Sequence, residues 1–188
     1  MQAFGLRVEA DDLRQFVVPN EGYQGTDYEI EPDASAASYF FAAAAITGGQ
    51  ITVEGLSSNS LQGDIRFCDS LQQMGCQVEY MSNKTKVTGP ATLRGIEINM
   101  NEISDTVQTL AAVALFAEGP TIIRDVAHIR HKETDRIGNL AIELRKLGAE
   151  VEDFSDGLKI TPSKLHGATL LTYDDHRMAM SLALAGLR

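Results

Sequence analysis

Three short stretches of this sequence combine residue types that bind anions and move protons. Ser104-Asp105 stands directly before an apolar run, residues 106–116. A carboxylate there can cap a helix by accepting backbone N–H bonds. Held at the mouth of a buried helix, it can also accept a hydroxyl proton. Arg130-His131-Lys132-Glu133-Thr134-Asp135-Arg136 crowds Arg130, Lys132 and Arg136 with Glu133 and Asp135 ahead of a second helix. Thr134 can cap that helix, and Asp135 suits its dipole. Lys and Arg are the disfavoured charges at such an end, so they point to a bound anion. Backbone N–H groups, a bidentate guanidinium and an ammonium point charge together hold carboxylate or phosphate. Glu133 beside them can exchange a proton with carbon or oxygen. Asp174-Asp175-His176-Arg177 precedes Met178-Ala179-Met180-Ser181-Leu182-Ala183-Leu184, which reads as a wholly buried helix. Arg177 again sets a cation against the dipole, which makes sense with an anion between them. A local Asp–Arg pair with His176 packed nearby is the plainer reading.

Other chemistries leave no mark. There is no GxxxxGK[ST] phosphate loop, no HExxH and no GxSxG. Cys68 and Cys76 have no partner at metal-ligand spacing, so neither a zinc site nor a disulfide framework is expected and a reducing cytosol is the default. Met178 and Met180 read as core packing, Gly63-Asp64-Ile65-Arg66 as a helix start and His166 as a loop residue.

The elements that position these stretches come in copies. Residues 1–9, 71–79 and 144–152 align, with Gly5, Gly75 and Gly148 in register. Asp33, Asp105 and Asp175 recur in step, each opening a run rich in small residues. Two landmarks keeping a period of roughly 70 residues mark a repeat. Each unit predicts an amphipathic helix closed by Gly (64–75, 134–148), then two strands (77–80 and 84–88; 150–154 and 158–161). An Asp-led apolar helix follows (34–46, 106–116, 177 onward), then a further strand (51–53, 121–124). The Asp-led helices are apolar nearly all round and should be buried. The expected architecture is α/β, with sheets around buried helices. Both ends fall inside a repeat, so the chain reads as a piece of a longer protein, and its exposed half-repeats make self-association plausible.

Of 188 residues, 44% are hydrophobic and 22% charged, which is ordinary for a globular protein and enough apolar surface for a core. No run approaches the ~18 apolar residues of a membrane span, and no signal peptide is visible. A net charge of −10 argues against a nucleic-acid binder. It leaves room for a small anion in a local basic pocket.

The sequence resembles the 3-phosphoshikimate 1-carboxyvinyltransferases, also called 5-enolpyruvylshikimate-3-phosphate synthases. The likeness rests on Asp33-Ala34-Ser35-Ala36-Ala37-Ser38-Tyr39-Phe40, Asn59-Ser60-Leu61-Gln62-Gly63-Asp64, Lys132-Glu133-Thr134-Asp135-Arg136 and Asp175-His176-Arg177-Met178-Ala179-Met180. It implies the enolpyruvyl-transferase fold, an inside-out α/β barrel of six repeats in two domains that close on substrate. Residues 1–28 then match the end of the first domain and 29–188 most of the second, short of its last strand and helix. The implied reaction moves the enolpyruvyl group of phosphoenolpyruvate to the 5-hydroxyl of shikimate 3-phosphate and releases phosphate. It needs no cofactor or metal, and the whole enzyme is expected to be a cytoplasmic monomer, its partners the two small anionic substrates and the other domain. Residue by residue, Asp105 matches the proton acceptor on the shikimate ring, Lys132 a lysine between the substrates and Glu133 the acid that protonates the enol methylene. Arg136 and Arg177 match arginines that bind phosphoenolpyruvate. Asp175 and His176 lie in the site motif without a settled role, and His128 stands where an asparagine touches the shikimate hydroxyl. The rival readings are a UDP-N-acetylglucosamine enolpyruvyl transferase and a non-catalytic repeat scaffold.

Overall fold

Each repeat-marking glycine ends a helical segment in the left-handed region, Gly5 at φ 78, Gly75 at φ 107 and Gly148 at φ 97. That backbone favours a residue without Cβ. The Cys76 N–H then bonds the Leu71 carbonyl at 3.0 Å, and the Ala149 N–H bonds the Leu144 carbonyl at 3.2 Å. The same helix closure therefore feeds the next strand in both copies.

The computed structural model describes residues 1–12 and 14–188, which fall into two units, Met1–Glu31 and Pro32–Arg188. The first contains a 3-10 turn, Gln2–Phe4, and an antiparallel pair, β1 (Glu9–Asp11) with β2 (Gln15–Val17). The second runs α1 (Ala34–Thr47), β3 (Gln50–Glu54), α2 (Phe67–Gln73), β4 (Gln77–Met81), β5 (Lys84–Thr88), β6 (Leu93–Arg94) and β7 (Glu97–Asn99). It continues through α3 (Val107–Ala114), β8 (Ala117–Glu118), β9 (Thr121–Arg124), α4 (Gly138–Lys146), β10 (Glu150–Phe154), β11 (Gly157–Thr161) and α5 (His176–Ala183). The order β3-β5-β4 in one sheet is repeated as β9-β11-β10 in another, all antiparallel, with β7 added parallel to β9. Thr85 and Val87 on β5, and Leu158 and Ile160 on β11, turn to the core, while alternate residues face outward. The expected α/β architecture, sheets around buried helices, is what forms.

At its centre lies α3, with all eight residues buried. It packs against both α1 and α5. Three hydroxyls meet there: Thr109 Oγ1 lies 3.2 Å from Ser38 Oγ and 3.3 Å from Ser181 Oγ. These partners are 71 and 72 residues apart. Equivalent positions of three successive repeats thus share one buried polar chain. Measured from these hydroxyls, the three landmark aspartates do not coincide: Asp33 precedes Ser38 by five residues, Asp105 precedes Thr109 by four and Asp175 precedes Ser181 by six.

The helix entrances also depart from expectation. Asp33 caps α1 by accepting the Ala36 N–H, and Asp175 caps α5 by accepting that of Arg177. Asp105 lies inside a 3-10 segment, Asn101–Thr106, and caps nothing. Nor does Ser104, whose hydroxyl is bonded to His128. The helix expected from residue 134 begins at Gly138 instead. Thr134 is not its cap, because its hydroxyl bonds the Asn139 amide. Asp135 does that work, with Oδ1 accepting the N–H groups of Ile137 and Gly138 at 3.1 and 2.9 Å. The helix expected from residue 64 starts as a 3-10 turn, Gly63–Arg66. Finally, α5 is not wholly buried. Met178 is in the core but Met180 is 46% exposed, because α5 packs on α3 along one stripe only.

Replacing Thr109 by valine keeps its volume; Ser38 retains the Ser35 carbonyl at 2.6 Å, while the buried Ser181 hydroxyl loses its Thr109 partner. Urea unfolding of Thr109→Val should show a loss of about 1–3 kcal/mol, with an unchanged denaturant slope.

Candidate active site

Arg136 organises the charged residues that the sequence singled out. Its guanidinium is only 1% exposed. Nε lies 2.7 Å from Asp175 Oδ2 and Nη2 3.2 Å from Asp175 Oδ1, a bidentate pair. Nη1 lies 3.2 Å from Asp105 Oδ1, and Nη2 2.5 Å from Glu133 Oε2. Burial works against the Arg136 charge, but Asp175, Glu133 and Asp105 outweigh it and raise its pKa. For Asp175 burial likewise opposes ionisation, and the hydrogen bonds from Arg136 and from the Arg177 backbone win, lowering its pKa.

Asp105 is the meeting point. Besides Arg136 it receives Arg177, whose Nη2 is 3.0 Å from Oδ2, and Lys132, whose Nζ is 3.5 Å from Oδ1. The sequence-chosen Asp105, Lys132, Glu133, Arg136, Asp175 and Arg177 therefore form one cluster, and the two guanidiniums share a carboxylate. Its composition departs from the basic pocket expected: three cations face three carboxylates. An arriving anion must displace Asp105 from Arg177 and Lys132 rather than fill bare positive charge.

The elements sort the charged motif into two jobs. Arg130 does not join the cluster. Its Nη1 holds Asp135 at 2.7 and 3.0 Å, while Nε and Nη2 reach the carbonyls of Ser155 and Phe154 on the β10–β11 turn. It thereby pins the segment from which Lys132, Glu133 and Arg136 project. His128 Nε2 lies 2.9 Å from Ser104 Oγ, beside Asp105. His176 is largely exposed, its Nδ1 3.9 Å from Asp175 Oδ1.

Two neighbours escaped the sequence reading. The Tyr39 hydroxyl on α1 is buried beside Arg177. Burial raises its pKa, and the nearby Arg177 works against that rise. Asp64, expected only to start a helix, bonds the Ser35 hydroxyl. Burial raises its pKa, the Ser35 bond opposes this, and Asp105 is close enough to add to the rise. Both lie in stretches quoted for the family resemblance. Their types alone, a tyrosine on an apolar helix and an aspartate in a first turn, carried no signal.

Comparison with known proteins follows the same lines. The family model for EPSP synthase (3-phosphoshikimate 1-carboxyvinyltransferase) matches residues 1–188. The chain is 52% identical to a 3-phosphoshikimate 1-carboxyvinyltransferase of Trichormus variabilis, covering 100% of this chain and 44% of that protein. It is 51% identical to the chloroplastic one of Arabidopsis thaliana, covering 98% and 38%. The solved EPSP synthase of Acinetobacter baumannii superposes with a TM-score of 0.86 at 30% identity, covering 100% of this chain and 46% of that one. The chain thus spans less than half the length of these relatives.

The Asp175–Arg136 pair sets an acid dependence. Because the Asp175 pKa is lower in the folded chain than in the unfolded one, folding releases its proton. Its contribution is complete above the unfolded value of about 4 and disappears as pH falls through the folded value. Asp175→Asn should cost about 3 kcal/mol at neutral pH, the loss typical of breaking a buried pair. Urea midpoints of the variant should also vary less below pH 4 than those of the parent chain.

Proposed function

The chain belongs to the EPSP synthase family, and we propose that it supplies one wall of the active site of a 3-phosphoshikimate 1-carboxyvinyltransferase. In this reading residues 1–28 end a first domain, 29–188 form most of a second, and the first domain carries the rest of the site. The observation that carries the reading is the convergence of Arg136, Arg177 and Lys132 on the single carboxylate of Asp105. A scaffold has no use for such a cluster at the entrances of its helices.

The chemistry follows from which charges are committed and which are accessible. Arg136 is sealed against Asp175, so it fixes the geometry and offers one edge. Arg177 and Lys132, at 15% and 39% side-chain exposure, are the cations with access to solvent. They turn from Asp105 to the carboxylate and phosphate of phosphoenolpyruvate. Glu133, on the same face and open to water, relays a proton taken up from solvent to the methylene carbon, which makes the adjacent carbon electrophilic. Asp105, released from its cations, takes the proton of the 5-hydroxyl of shikimate 3-phosphate as that oxygen bonds the electrophilic carbon. Lys132, between the substrates, offsets charge as the tetrahedral adduct forms. In the second half Glu133 removes a proton from the methyl carbon, the double bond re-forms, and phosphate leaves with the C–O electron pair. His128, through Ser104, contacts a shikimate hydroxyl, and Asp175 with His176 holds the α5 entrance in place.

Arg177→Ala should weaken phosphoenolpyruvate binding to the purified chain at least about tenfold, the worth of one charge-assisted contact. Arg145→Ala, which breaks an ion pair with Asp153 away from the cluster, should leave binding as it is. Calorimetric titration reads both, and equal affinities would sink the assignment. A phosphate-release assay on these 188 residues alone should show no turnover, since first-domain contacts are required.

A further inference from the structure

Among the described residues, Asp175 and Glu143 are the two carboxylates classed as buried. Asp175 is answered by Arg136, but Glu143 has no part in the chemistry above. It projects from α4, where Oε1 accepts the Tyr173 hydroxyl at 2.6 Å and Oε2 the Leu171 N–H at 2.9 Å. The Lys146 ammonium lies 2.8 and 2.9 Å from the two oxygens. Burial opposes the charge, yet the bonds from Lys146, Tyr173 and Leu171 outweigh it and hold the pKa below the ordinary carboxylate value. The same contact pushes the Tyr173 phenol up to about 12.

The residues that Glu143 grips lie in strained backbone. Tyr173 (φ 56) and Asp174 (φ 55) are consecutive non-glycine residues in the left-handed region. Such conformations persist only where their surroundings over-determine them. The turn closes with the Asp175 N–H on the Thr172 carbonyl at 3.0 Å, and the chain passes straight into Asp175 and Arg177.

We infer that Glu143 is a positioning residue, which grips the 171–173 segment so that Asp175 meets Arg136 and Arg177 reaches the anion-binding face. The approach to α5 is then held at two points. Glu143 on α4 takes residues 171 and 173, and Arg136, just ahead of α4, takes Asp175. With the first grip lost the left-handed pair relaxes, and Arg177 moves with it. The inference rests on the proposed function only for the identity of the anion.

The test uses the 15N-labelled chain and the Nε–H resonances of Arg136 and Arg177. In Glu143→Gln and in Tyr173→Phe the ligand-free Arg177 peak should shift. Phosphoenolpyruvate, titrated against the same peaks, should bind about tenfold more weakly to Glu143→Gln, as for one misplaced charge-assisted hydrogen bond. Leu71→Ala, which loosens the core elsewhere, should leave the Arg177 peak in place; an equal shift there would mean general loosening and overturn the inference. An unmoved Arg177 peak in folded Glu143→Gln overturns it as well, and should that variant fail to fold, Tyr173→Phe decides by the same criterion. If phosphoenolpyruvate moves neither peak in the parent chain, the proposed function fails, while the ligand-free spectra still judge Glu143.

Discussion

A guanidinium sealed from water must be answered on every side, and Arg136 is answered by carboxylates from three parts of the chain. Leaving such a charge uncompensated costs several kcal/mol. The planar fork of arginine lets Nε and both terminal nitrogens take separate partners, which a lysine ammonium at this site would not reproduce. Asp175 fixes one edge, and Asp105 and Glu133 take the others. The approaches to α3, α4 and α5 are thereby tied to one another. The pair with Asp175 is buried and tightly held, whereas the contacts with Asp105 and Glu133 remain partly open to water. One half of the interaction keeps the fold in register, and the other half stays accessible to water.

Much of this was legible in the residues. The glycine period, the strands after each glycine and the small-residue helices all follow from local rules of patterning and capping. Lys132, Arg136 and Arg177 stood out because charges of the unfavoured sign stood at helix entrances, while their meeting with Asp105 and Glu133 was implied by the family resemblance. What could not be read was the division of labour inside a charged run. Arg130 and Asp135 look no different in sequence from Lys132 and Glu133, yet the first two brace a turn and the others face the site. Sequence gives charge and spacing, while the direction of each side chain depends on where the β10–β11 turn lies. Asp64, Tyr39 and Glu143 were missed for a related reason. Each acts through a contact 28–30 residues away or through burial, and neither leaves a local pattern.

In the proposed function, formal balance within the cluster also bears on how a polyanion would be received. The chain is acidic overall, with a net charge of −10, so long-range attraction for anions is weak. In that reading recognition would come at short range, by substitution of one carboxylate for another with matching geometry. Shape and bidentate contacts then select the ligand more than charge does.

The uneven spacing of the three aspartates from the hydroxyl chain has a consequence of another kind. A single inserted or deleted residue ahead of a helix rotates what precedes it by about 100°. The buried hydroxyls hold the copies in common register, so such an indel is confined to the entrance. An aspartate that caps the backbone in one copy, Asp33, has as its counterpart one step along Asp105, a side chain left to pair with Lys132, Arg136 and Arg177. In the proposed function, a shift of one position relative to the shared hydroxyl register is what separates an aspartate that caps its helix from one that faces the substrates.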